Sequence, residues 1–81
     1  MKLPRDIGGE NLAKKLERFD YKITRQTGSH IRLTTTDKGE HHITIPRHTP
    51  LRIGTLNKIM TDISEHLEMP KSKLAEKLFK K

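Results

Sequence analysis

The chain has 81 residues, 31% of them hydrophobic and 4% aromatic, which suits one domain (residues 1–81) with a small core and a margin of only a few kcal/mol. It has no cysteine, no run approaching the roughly 20 apolar residues of a membrane span, and no apolar stretch behind Met1-Lys2-Leu3-Pro4-Arg5-Asp6; a disulfide scaffold, an integral membrane protein and a signal peptide are therefore not expected, and a cytoplasmic location is. Lys and Arg number 17 against 10 Asp and Glu, a net charge of +7, the electrostatic footprint of a nucleic-acid binder, although acidic proteins and anionic lipids attract the same charge.

Residues 8–19 read as a helix. Gly8 or Gly9 serves as its N-cap, Glu10 sits well against the dipole of the first turn, and Leu12, Ala13, Leu16 and Phe19 make one apolar face. The period then changes. Tyr21 and Ile23 alternate with Lys22 and Thr24 in a first strand, over 20–26. Thr27-Gly28 marks a turn. A second strand runs from Ser29 to about Thr36, with Ile31, Leu33 and Thr35 on one side and His30, Arg32 and Thr34 on the other. Asp37-Lys38-Gly39-Glu40 reads as a hairpin loop. A third strand covers His41 to Ile45, with His41, Ile43 and Ile45 inward and His42 and Thr44 outward; Pro46 closes it.

Residues 47–54 form an irregular connection. Gly54 or Thr55 is expected to cap a second helix that ends near Leu67 and buries Leu56, Ile59, Met60, Ile63 and Leu67. Met69-Pro70 breaks it. Ser72 is expected to cap a short last helix containing Leu74, Ala75, Leu78 and Phe79, with Lys80-Lys81 at its C-terminus. Short loops between strands require an antiparallel sheet. The predicted fold class is therefore α+β: a two-layer sandwich in which both long helices cover the sheet face of Tyr21, Ile23, Ile31, Leu33, Ile43 and Ile45. The other face is polar, with Lys22, Thr24, His30, Arg32, Thr34 and His42.

Chemistry has few places to sit. The five histidines match neither a His-Glu-x-x-His helix nor a Cys/His zinc pattern, and adjacent His41 and His42 point to opposite faces, so no metal or other cofactor is predicted. No phosphate-binding loop, thiol nucleophile or nucleophile elbow is present. Histidine beside cations remains. It titrates near neutrality and can act as a general base on an RNA 2′-OH, while Arg or Lys stabilises the charge growing on the phosphate. His30 with Arg25 and Arg32 offers this combination, and so does Arg47-His48. An exposed strand histidine that only binds phosphate, or has no role, is the plainer reading.

The run Tyr21-Lys22-Ile23-Thr24-Arg25-Gln26-Thr27-Gly28-Ser29-His30 resembles the first half of HicA-family toxins, also called YcfA-like proteins. His42-Ile43-Thr44-Ile45-Pro46-Arg47-His48, followed by Gly54-Thr55-Leu56-Asn57-Lys58-Ile59, is similar to their second signature. The resemblance covers roughly residues 8–67. It implies a fold like a double-stranded-RNA-binding domain (α-β-β-β-α) and an mRNA-cleaving endonuclease toxin of a type II toxin–antitoxin pair, neutralised by a HicB-type antitoxin. It puts the catalytic role on His30. RNA contacts are expected from Lys22, Arg25, Gly28, Ser29, Arg32, Arg47 and His48, with Gly28 allowing close approach of the backbone and Ser29 donating to a phosphate. Family members often carry Gly where Asp20 stands. The competing function is a non-catalytic RNA-binding module, which this type of fold also supports; a third is a basic face that meets an acidic protein.

Overall fold

The computed structural model describes residues 3–79; the Lys80-Lys81 tail lies outside them. Helix α1 spans Gly9–Leu16, with Gly8 at its N-cap in extended conformation. A single 3-10 turn, Glu17–Phe19, continues it to Asp20, which takes φ 63°. That left-handed position is natural for glycine, and Asp is among the few other residues that enter it readily. Strands β1 (Lys22–Gln26), β2 (His30–Thr35) and β3 (His41–Pro46) follow, then α2 (Ile53–His66) and α3 (Lys71–Phe79). This is the expected α-β-β-β-α order with a short helix added.

The sheet is antiparallel in the order β1-β2-β3, which makes β2 its centre. Lys38 and Gly39 turn the chain between β2 and β3 with φ 58° and 100°. The Lys38 ammonium then donates to the carbonyl of Leu67, 2.9 Å away, placing a cation at the C-terminal end of α2. Helix α1 packs on β2 and β3, and α2 packs on β3 and α3. Leu12, Leu16, Ile31, Leu33, Ile45, Leu56, Met60 and Ile63 are fully buried between the layers, and Leu74 and Leu78 bring α3 into the same core. Burial of each such side chain contributes about 1.5–3 kcal/mol against the chain entropy.

Three local expectations fail for physical reasons. Ile23, expected in the buried face, is 41% exposed. It lies opposite the buried Leu33, as alternation requires, but β1 is an edge strand and every one of its residues is exposed. Helix α2 begins at Ile53 with Arg52 at the N-cap, and no side chain caps it, so neither Gly54 nor Thr55 has that role. Ser72 sits inside the first turn of α3, whose opening bond runs from Leu74 N to Pro70 O.

One glycine is dictated by packing. A Cβ on Gly9 would lie 2.0 Å from the Pro46 carbonyl oxygen. The Gly9 N–H also donates to His48 O at 3.0 Å. The first turn of α1 therefore rests directly on the end of β3, where only glycine fits.

Candidate functional site at the start of the central strand

His30 opens β2 and is exposed on the face away from the helices. The turn before it is held by hydrogen bonds. The Thr27 hydroxyl oxygen accepts from the backbone N–H of Ser29 (3.3 Å) and of His30 (3.1 Å), and Thr27 N–H donates to His30 O at 2.9 Å. Threonine thus closes the turn with its side chain. Ser29 Oγ lies 2.9 Å from His30 Nδ1. Among the described residues, His30 Nε2 has no protein partner.

Arg47 fastens this turn to the rest of the molecule. Its backbone N–H donates to Ser29 O at 2.9 Å, and its guanidinium donates to Thr27 O at 2.8 Å. The Arg47 Nε also donates to Glu10 at 3.0 Å, and a second guanidinium nitrogen pairs with the same carboxylate oxygen. The fork of donors makes arginine suited to joining a carbonyl and a carboxylate at once. Glu10, read from sequence only as a helix-dipole residue, is thereby linked to the His30 turn.

The other cations arrive by a β-bulge. Lys22 pairs with Thr34 and Ile23 with Leu33, but Arg25 pairs with Arg32, so Thr24 is the extra residue. Strict alternation would put Arg25 opposite Ile31 on the buried side. The bulge moves it opposite Arg32, on the open side with His30. Neither arginine has an acidic partner among the described residues. A Cβ added to Gly28 would meet nothing within 4 Å, and Gly28 has no positive φ. Neither packing nor backbone requires glycine there, and space for a ligand is left over it. His48 is exposed and does not join this group; it lines a separate hollow of about 420 Å³ with Pro46, Thr49, Leu51, Arg52 and Thr55.

Two other histidine groups stand apart. On the open face, Thr34 Oγ1 lies 2.7 Å from His42 Nδ1, and His42 Nε2 lies 3.3 Å from Glu40. Beneath the sheet, Tyr21 is fully buried and its hydroxyl donates to His41 Nδ1 at 2.6 Å. His41 Nε2 faces Asp62 at 3.2 Å, and its ring stacks on His66 with centroids 4.3 Å apart. Burial, with a smaller effect of the Asp62 charge, pushes the Tyr21 phenol up to about 12. The phenol therefore keeps its proton, and a phenol that donates to Nδ1 leaves the Nε2–H form of His41 facing Asp62. This cluster ties the start of β1 to β3 and α2. No group of three or more metal-ligating side chains is gathered among the described residues, and no helix there is long and apolar enough to cross a membrane.

No curated protein and no solved structure matches the chain. A family model described as the HicA toxin of bacterial toxin–antitoxin systems matches residues 9–64. The matched segment runs from the close-packed Gly9 through Glu10, His30 and Arg47 to the last turns of α2. It spans more than half of the sequence, and the chain belongs to the HicA toxin family.

Proposed function

We propose that this HicA-family toxin is an endoribonuclease that uses His30 and no metal ion to cut mRNA, and that a HicB-type antitoxin neutralises it. The observation that carries this reading is the pairing of His30 Nδ1 with Ser29 Oγ at 2.9 Å, which leaves Nε2 open on the exposed sheet face, two residues along β2 from Arg32 and its cross-strand partner Arg25. With Nδ1–H donating to Ser29 Oγ, Nε2 carries the lone pair a general base needs. The Ser29 hydroxyl hydrogen is then free to donate to a phosphate oxygen.

In the reaction, Nε2 takes the proton of a 2′-OH. The 2′-oxygen bonds to the adjacent phosphorus, and the bond from phosphorus to the 5′-oxygen breaks, the leaving oxygen being protonated by water. The products end in a cyclic 2′,3′-phosphate and a 5′-hydroxyl. Arg25 and Arg32 stabilise the charge that builds on the phosphate. An acidic antitoxin over this face blocks it by exclusion and by charge.

The test is His30→Ala, assayed for RNA cleavage in excess chelator and for growth arrest on expression. His30 is exposed, so the variant keeps its fold. Wild-type protein is expected to cut in chelator and to leave cyclic ends, and the variant to do neither. Cleavage by the variant at the wild-type rate removes His30 from the mechanism.

A further inference from the structure

The open face of the sheet extends well beyond His30. We infer that it is a track for single-stranded RNA that runs along β2 from His30 past Arg32 to the Thr34–His42 pair and Lys22. The inference rests on the reading of His30 as the cleavage site.

First, no helix among the described residues covers this side, and Arg32, His42, Thr44, Lys22 and Thr24 are all exposed there. Second, Arg25 and Arg32 stand directly opposite each other without a carboxylate between them. Like charges opposite each other across strands destabilise a sheet, and a phosphate between them removes that penalty. Third, a line of hydrogen bonds crosses all three strands. Thr24 Oγ1 meets Thr34 Oγ1 at 3.1 Å, Thr34 Oγ1 meets His42 Nδ1 at 2.7 Å, and His42 meets Glu40 at 3.3 Å. This line fixes the His42 ring in place on the exposed surface of β3.

The size of the face selects the strand type. From His30 to Thr34 is about 13 Å at roughly 3.3 Å per residue, and three strands about 4.8 Å apart make a strip of similar width. That is room for a few nucleotides. Recognition of an RNA duplex by a domain of this type instead uses elements that reach two successive minor grooves, and among the described residues this face carries strands alone. The available contacts are to phosphates and riboses, with two imidazoles for stacking and no Tyr, Phe or Trp on the strip. Sequence preference is therefore weak and salt dependence steep, log affinity changing by about 0.7 per log salt for each phosphate held.

The experiment uses the full chain with His30→Ala, so that RNA is not consumed. Binding of a labelled oligouridylate and of an RNA duplex of equal length is measured over a salt series. Arg32→Gln, Lys22→Gln and His42→Asn are each added, beside Lys14→Gln and Lys58→Gln on the helical layer. The track predicts a roughly five- to tenfold loss of single-strand affinity for Arg32→Gln and Lys22→Gln, with a shallower salt slope. A smaller loss is expected for His42→Asn, and none for the two helix variants. Tighter binding of the duplex, or losses confined to Lys14→Gln and Lys58→Gln, overturns the track while leaving His30 its role. Equal competition by polyglutamate also overturns it, since the face is then a docking surface for acidic protein. Should the parent His30→Ala protein cut RNA normally, the cleavage site itself is misassigned, an outcome distinct from the others.

Discussion

Removing one oxygen atom, with Tyr21→Phe, tests the buried polar joint under the sheet. The hydroxyl donates to His41 Nδ1 at 2.6 Å, and Tyr21 is fully buried. In the variant the His41 acceptor loses its donor inside packed surroundings, which costs about 1–3 kcal/mol. For a domain this small that is a large share of the total. The pH dependence has a definite sign. The folded phenol sits at about 12 against 10.0 for the free group, raised by burial and then by Asp62. A raised phenol pKa contributes stability that is fully present below pH 10 and is lost as pH climbs through 12. About two units correspond to roughly 3 kcal/mol at most. The advantage of wild type over Tyr21→Phe should therefore be constant at neutral pH and shrink over that alkaline window. Urea melts of both proteins across pH measure it. The chain has 1 Tyr and 0 Trp, so tyrosinate absorbance follows this one group directly. Equal stability of the two proteins at neutral pH, or a phenol that ionises near 10 in the folded protein, refutes the reasoning.

Glycine substitutions should split. Gly9→Ala forces a Cβ to within 2.0 Å of the Pro46 carbonyl and is expected to destabilise by several kcal/mol in thermal or urea melts. Gly28→Ala meets open space and should leave stability within about 1 kcal/mol, while weakening RNA binding measured by fluorescence anisotropy. Glu10→Gln loosens the Arg47 anchor of the His30 turn; kcat for RNA cleavage is expected to fall several-fold at unchanged KM. An unchanged kcat with an altered KM assigns Arg47 to phosphate instead. Arg47→Lys, which cannot reach Thr27 O and Glu10 together, should behave like Glu10→Gln.

Much of the fold is legible because apolar residues change their period where the elements change. The stripe Leu12, Ala13, Leu16 and the stripe Leu56, Ile59, Met60, Ile63 are both buried, and so is the alternating set Ile31, Leu33, Ile43, Ile45. Ile23 obeys the same alternation, yet its burial depends on how far two helices reach across three strands, which no local pattern encodes. The start of α2 at Arg52 is a matter of backbone geometry without a capping side chain, so composition gives no signal. Within the site, the exposure of His30 follows from the strand pattern and the turn before it is readable at Thr27-Gly28, but the hydrogen bonds of the Thr27 side chain to that turn are not. The Glu10–Arg47 contact joins residues 37 apart, and Tyr21–His41 joins residues 20 apart. Such pairs exist only once the layers have assembled. The register shift at Thr24 is equally silent, because a bulge needs one extra residue and no special residue type.

That extra residue also decides how the molecule meets copies of itself. β1 is a free edge of five residues, all exposed, and an edge of that kind invites pairing with another strand. Thr24 interrupts its ladder, while Lys22 and Arg25 set like charges against any identical edge that approaches. Deleting Thr24 would make the edge continuous and return Arg25 to the buried side. One inserted residue thus breaks the exposed edge of a basic, thin-cored protein, and the same insertion turns Arg25 to the open face that carries His30.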